Sequence, residues 1–326
     1  MSTLRCLKFF SLLLALATPV FAAPDGFALL KAGKANDALQ ALNARIQTNP
    51  NDAEAYNLIA RVNYQLEHWD EAINAAEKAV ALDPQKSEYH QWLGRVYGEK
   101  ADTVGKLHPI SAISLVRKVK AEFEKAVMLD AAGSNLSARA DLAEFYLEAP
   151  SIMGGDKTKA RLLADFVMTR DPALGHYLYG MAYDKQNAKD KAEQEYKAAI
   201  ETSKSQARYW VSLASFYRKA GRLDDMEVAV SKALSARHEG GIALFDGASL
   251  LLEAGRNFAG AIQMLRQYLS LNDSAEDGPA FQAHFKLGAL LEKQGDRQAA
   301  LSEYRAASAM APQYRPAQDA LVRLSR

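Results

Sequence analysis

The 326-residue sequence predicts an all-α chain, a solenoid of stacked helix pairs, and three observations carry that expectation. Small and large residues return in a fixed order at a period of about 34 residues. Within each period, apolar residues fall at 3–4 spacing in two runs, the pattern of two amphipathic helices; strands would alternate instead. "NP" and "DP" dipeptides close several second runs, because proline cannot continue a helix and restrains the residue before it. One pair cannot bury its own apolar face, so the pairs must stack.

The first residues stand outside the period. "MSTLRCLKFFSLLLALATPVFAAPDG" holds Arg5 and Lys8, then an apolar run over residues 9–17, then Val20, Phe21 and Ala22. This layout predicts a secretory signal over residues 1–22, cut after Ala22, with Ala23 the next choice. The run is short for an anchoring helix. Cys6, the only cysteine, precedes the run and leaves with it. The mature chain then has no thiol and no disulfide, and packing alone must stabilise it. The expected location is the periplasm. Removing Arg5 and Lys8 turns the formal net charge of +1 into −1. Nucleic-acid binding normally needs a basic excess, so none is expected. No later run of about 18 uncharged apolar residues exists, so no membrane-spanning helix is expected beyond the signal.

The remainder, 23–326, reads as one array. Gly26, Ala38, Leu42 and Pro50 mark a first unit (about 24–52). The second (53–86) contains "AYNLIARVNYQLEHWDEAINAAEKAVALDP", with Tyr56, Ile59, Ala60, Ala72, Ala76, Ala79 and Pro84 at its landmarks. This stretch resembles a tetratricopeptide repeat, departing from it where Asn63 replaces the usual Tyr, with Tyr64 beside it. Leu93, Gly94 and Tyr97 open the third unit (87–133); Leu142, Ala143 and Tyr146 open the fourth (134–172). Gly180, Tyr183, Ala192, Tyr196 and Ala199 mark the fifth (173–206). Trp210, Leu213, Ala214, Tyr217 and Ala233 mark the sixth (207–240). A weaker seventh (241–278) runs through Gly255, Phe258, Ala261 and Leu265 with one extra residue. Leu287, Gly288, Ala300, Tyr304, Ala307 and Pro312 mark the eighth (279–314). A tail helix (315–326) covers the open end. The resemblance implies a right-handed superhelix of about eight pairs. Small residues at positions 8 and 20 let paired helices approach, and the large residue at position 24 fills the gap between neighbouring pairs.

Two units break the period. The third is 13 residues too long, because "YGEKADTVGKLHPISAISLVRKVK" holds more than one helix–turn–helix needs. The fourth exceeds the norm by about five, through "LEAPSIMGGDKTKA". Both insertions fall between the first and second helices, on one edge of the ribbon, so they are expected to touch. Exposed loops tolerate such insertions cheaply. These, however, carry Leu107, Ile110, Ile113, Leu115, Ile152 and Met153, so a structured cap is expected, with a long second helix over 111–129 capped by Ser111. Whether the cap also shapes a binding site is left open by the residues.

The resemblance implies a concave ligand face, lined by positions 2, 5, 9, 12 and 13 of each first helix. Those positions, with the inserts, give the partner-binding candidates Asn57, Arg61, Tyr64, Gln91, Arg95, Tyr177, Met181, Arg208, Arg218, His108 and Met153. Relatives that bind acidic chain ends use a Lys and Asn clamp, which Asn57, Arg61 and Trp92 do not reproduce. His90, His176 and His284 share position 4 and read as packing residues; His68 and His238 fall in turns. No Cys/His cluster, P-loop or G-x-S-x-G is present, so neither catalysis, metal nor cofactor is expected. The expectation is a non-enzymatic scaffold for a protein or peptide partner of the cell envelope. The alternative is a small-ligand or glycan-binding accessory protein, with a pocket at the two inserts that uses Tyr177 and Tyr146.

Overall fold

A computed structural model describes residues 25–105, 109–238, 240–271 and 278–325. The expected signal, residues 1–22, and the candidate His108 lie outside the described residues. Among those described, seventeen α-helices run as eight pairs and a tail. The pairs are α1 (Gly26–Lys31) with α2 (Ala35–Thr48), α3 (Ala53–Gln65) with α4 (Trp69–Leu82), and α5 (Ser87–Gly105) with α6 (Pro109–Leu129). Then come α7 (Leu136–Glu148) with α8 (Lys157–Met168), α9 (Pro172–Lys185) with α10 (Lys189–Thr202), and α11 (Ala207–Lys219) with α12 (Leu223–Ser235). Last are α13 (Ile242–Ala254) with α14 (Phe258–Ser270), α15 (Ala280–Lys293) with α16 (Arg297–Met310), and the tail α17 (Arg315–Leu324). No strand occurs among the described residues beyond an isolated bridge between Gln206 and Arg237. No described helix is long and apolar enough to cross a membrane.

What fixes each pair is a plug seated over a notch. Gly26 faces Leu42, Gly94 faces Phe123, Gly180 faces Tyr196, Gly247 faces Met264 and Gly288 faces Tyr304. A Cβ added to any of these glycines would stand 2.5–3.0 Å from its plug. In the other three units the notch is Ala60, Ala143 or Ala214, and the plug position holds Ala76, Ala164 or Val230, all buried. A bare notch takes a large plug and a methyl-filled notch a small one, as close packing demands. The plug at position 24 therefore sits on residue 8 of its own unit. It also reaches onward, since the Tyr196 ring lies 5.3 Å from that of Phe216 in the next unit.

Polar pairs repeat on the same frame. His90, His176 and His284 do not simply pack: each places Nδ1 at 2.6–2.7 Å from a glutamate, Glu122, Glu195 and Glu303 respectively. The two ordinary pairs are 19 residues apart and the His90 pair is 32, a difference of the same 13 residues as the insertion. Neighbouring units are tied by tyrosines that donate backwards: Tyr97 to Glu77, Tyr146 to Glu124 and Tyr217 to Glu193. "DP" dipeptides do not only end helices. Asp171 accepts the Leu174 amide at 3.0 Å as the N-cap of α9, with Pro172 in the first turn, where its missing N–H costs nothing.

The extra residues of unit 3 lengthen helices. α5 has 19 residues and α6 has 21, and α6 begins at Pro109, so Ser111 lies inside the helix and not at its cap. The unit 4 insertion forms a short 3-10 turn, Ser151–Met153, ended by Gly154 at φ 102°. The unit 4 turn abuts the middle of α6, eleven residues past its Pro109 start: a Cβ on Gly154 would stand 2.8 Å from Lys120. Leu107 and the Ile110 side chain lie outside the described residues. Ile113 is half-buried, and Ile152, expected to be covered, is 92% exposed.

The array also closes on itself. Gln282 on α15 donates to the Gln65 carbonyl at 2.9 Å, and the Tyr314 hydroxyl faces Glu67 at 3.4 Å. Gly33 (φ 68°) approaches so closely that a Cβ there would be 3.0 Å from the Ala280 nitrogen. Unit 8 thus abuts units 1 and 2, and Phe281 and Tyr314 join the buried cluster of the first units.

The plug rule is testable by a double-mutant cycle. Gly288→Ala should cost about 1–3 kcal/mol by overpacking, and Tyr304→Val about 3 kcal/mol or more by leaving a cavity. The double variant, which reproduces the Ala214/Val230 pair of unit 6, should be less destabilised in urea than the sum of the two. Additive costs would contradict the rule.

Candidate functional site

First helices line the concave face, because their partners pack outside them. A cavity of about 730 Å3 opens on this face between α5, α7, α9, α11 and α13. A second, of about 700 Å3, continues it towards α3 and α1, the two sharing Arg95 and Ser137. The result is one groove of two parts.

The second part is built on stacked cations. The Arg61 guanidinium lies between the Phe27 ring, at 5.4 Å, and the Trp92 ring, at 4.9 Å, and binds Glu88 at 3.0 Å. Arg95 stacks on Trp92 at 5.0 Å. Tyr64 meets Trp92 edge-on at 5.7 Å. Arg95 also grips Asp141 with two hydrogen bonds, 2.7 and 3.2 Å. Gln91 donates to Ser137 and Asp141 and accepts from Asn135, so its amide is committed and nearly fully buried. Asn57 and Arg61 are buried as well. Early in the array, position 5 is therefore buried: Gln91 is an internal tie between units, whereas the buried Asn57 Oδ1 has no hydrogen-bond partner among the described residues.

The first part is the more enclosed of the two, and it carries exposed cations. Tyr177 donates to Glu144 at 3.1 Å across the floor. Met181, Leu174 and Val211 supply apolar wall. Arg218 is paired with Glu253 at 2.7 Å. Arg208 is exposed, resting 4.9 Å over the Tyr209 ring, and among the described residues it forms no ion pair; Lys219 is likewise exposed and without one. Burial pushes the Glu144 carboxyl up to about 7, helped by the like charge of Asp141 and opposed by the Tyr177 hydrogen bond and Arg95. Burial likewise raises the Tyr177 hydroxyl well above its ordinary value, so it stays a donor.

Of the predicted site residues, the structure gathers Tyr177, Met181, Arg208 and Arg218 around one cavity and Arg61 and Gln91 around the other, with Arg95 between them. Tyr64 packs behind Trp92. Met153 belongs to the edge and lines neither cavity. Tyr146 is buried, bonded to Glu124, and contributes nothing to the groove. Glu144 was missed by the sequence reading, although it occupies position 9 of unit 4, a groove position by the same rule. Among the described residues, no three His, Cys, Asp or Glu side chains are placed to hold a metal ion.

Tetratricopeptide-repeat family models match residues 29–96, 174–206 and 245–315, so these stretches carry such repeats. No curated protein matches the chain. Among solved structures, a tetratricopeptide repeat protein from Parabacteroides merdae ATCC 43184 is 11% identical; the match covers 92% of this chain and 96% of that one, at a TM-score of 0.44. PilW, a type IV pilus biogenesis factor, is 11% identical over 64% of this chain and 89% of its own, at 0.47. A human IFIT1 dimer with PPP-AAAA is 16% identical over 88% and 71%, at 0.44.

Glu144 generates a pH prediction. Its folded-state value lies above the ordinary value of 4.5, so the folded chain holds more protons between pH 4.5 and about 7. The stabilising contribution of the protonated form is complete below 4.5 and is lost as pH rises through 7, at no more than about 1.4 kcal/mol per pH unit. Glu144→Gln should flatten this decline in denaturant midpoints measured from pH 4.5 to 7.5. An unchanged profile would contradict the assignment.

Proposed function

We propose that this tetratricopeptide-repeat chain is a non-enzymatic adaptor of the bacterial cell envelope, binding a segment of a protein partner in its concave groove. The observation that carries this reading is the mixed character of the first cavity: exposed cations Arg208 and Lys219 stand beside the apolar wall of Met181, Leu174 and Val211. Side chains of both kinds suit an amphipathic or extended peptide, whose backbone and alternate side chains need polar and apolar contacts at once. The rest of the groove is pre-ordered by internal pairs such as Arg95–Asp141 and Arg218–Glu253, which lowers the ordering cost of binding.

The thickened edge is a second contact surface in this reading. Ile152 projects there almost fully exposed, next to Met153, on a turn braced by α6. The small-ligand alternative is less supported, because neither cavity is lined by the two insertions together. The envelope location rests on the N-terminal pattern of Arg5, Lys8, the apolar run and Ala22.

Crosslinking in intact cells, followed by affinity purification, tests the reading. The purified chain should begin at Ala23, and a defined partner should be recovered with the parent. Recovery should fall with Arg208→Glu/Lys219→Glu and, more weakly, with Ile152→Glu. A chain retaining residues 1–22 would contradict the envelope location. Equal recovery with the groove variant would contradict the groove.

A further inference from the structure

Seven of the junctions between units join neighbours in the chain. The eighth, where unit 8 meets units 1 and 2, joins residues more than 200 apart, and it is built differently. Sequential junctions are filled by large buried side chains, such as Tyr196 against Phe216, and are covalent as well. The terminal seam is packed too, by Phe281 and Tyr314, but no chain crosses it. Across it the Gln282 amide donates to the Gln65 carbonyl (2.9 Å), the Tyr314 hydroxyl makes a longer contact with Glu67 (3.4 Å), and the Gly33 backbone approaches Ala280. Lys286, half-buried on α15, adds charge attraction across it, since Glu67 acts on Lys286 together with Asp246 and Glu253 of α13.

We propose that this seam is a latch, closed in the resting protein and opened to admit a partner segment sideways into the groove. Opening at a sequential junction would strip a buried interlock and still leave the two units tied by the chain. Opening here exposes Phe281 and Tyr314 and releases the Gln282 and Tyr314 hydrogen bonds, one close backbone approach and one screened charge interaction, but it leaves every helix pair and its plug intact and no chain holds the two sides together. Closed, the seam completes the wall around the concave face. A partner segment that continues into folded protein at both ends then cannot enter from the side, whereas a free chain end can still be threaded. Opening removes that restriction. The seam residues are suited to this: Glu67 and Gln65 lie at the end of α3 and the turn after it, and Gly33 is in the turn between α1 and α2, so they can part without disrupting a helix. The latch stands on the seam contacts; only the nature of the occupant rests on the groove reading.

The test needs no partner. On a Cys6→Ser background, Gly33→Cys and Ala280→Cys place two thiols where an added Cβ on residue 33 stands 3.3 Å from the Cβ of residue 280. They should pair within one molecule under mild oxidation. The rate at which Lys286 reacts with a bulky amine-directed reagent, read by peptide mass spectrometry, should then be several-fold lower in the oxidised than in the reduced protein. Glu67→Arg, which turns the attraction for Lys286 into repulsion and introduces no new amine, should raise the rate several-fold over the parent. Thiols that stay unpaired, or equal Lys286 rates in the oxidised, reduced and Glu67→Arg proteins, would overturn the latch. Such a result would leave the groove reading standing, because Arg208 and Lys219 lie on α11, away from the seam.

Discussion

Everything in this molecule hangs on the seating of residue 24 of each unit over residue 8. The contact sets how near the two helices of a pair lie, and hence the angle at which the next pair must stack. Five units solve the volume problem with glycine under Leu, Phe, Tyr, Met and Tyr; three solve it with alanine opposite Ala, Ala and Val. Because interiors are close-packed, one methyl group misplaced at this contact is felt. The backward tyrosine–glutamate bonds and the within-unit histidine–glutamate pairs are laid over that geometry. In a stacked array each unit leans only on its neighbours, so stability is the sum of such local fits.

The groove follows from the same constraint. Once second helices pack outside, positions 5 and 9 of the first helices face inward, whatever residues stand there. Near the start of the array these positions are withdrawn from the groove, as with the buried Asn57 and the saturated Gln91 amide. On α9 the same positions, Tyr177 and Met181, are half-buried in the wall of the first cavity, and the exposed Arg208 stands at position 2 of the next unit. The division of the groove into a braced part and a part with exposed cations is thus a matter of what each inward position has already been asked to hold.

Much of this was legible in the sequence. The all-α class and the tail helix follow from small and aromatic residues at fixed spacing, a strictly local signal. The length of the unit 3 insertion was legible too, and the His90–Glu122 pair, stretched by the same 13 residues, bears it out independently. Its form was legible in part: the long second helix expected over 111–129 is α6, which starts two residues earlier at Pro109, whereas the lengthening of α5 to Gly105 was not expected. Glu144 was within reach of the position rule and was overlooked. The seam was not readable at all: it joins Gln65 to Gln282, and its existence depends on small rotations summed over eight units, a quantity that no single stretch of sequence encodes.

That summed rotation makes the array a circuit with buttressed ends, and hydrogen exchange read unit by unit tests it most directly. An open stack frays from its ends, so protection would fall steadily from the middle towards both termini. A closed one supports α3 and α15 across the seam. The account predicts amide protection in α3 and α15 comparable with that in α9 and α11. Protection in α3 and α15 far below the central helices, declining smoothly outwards, would contradict it.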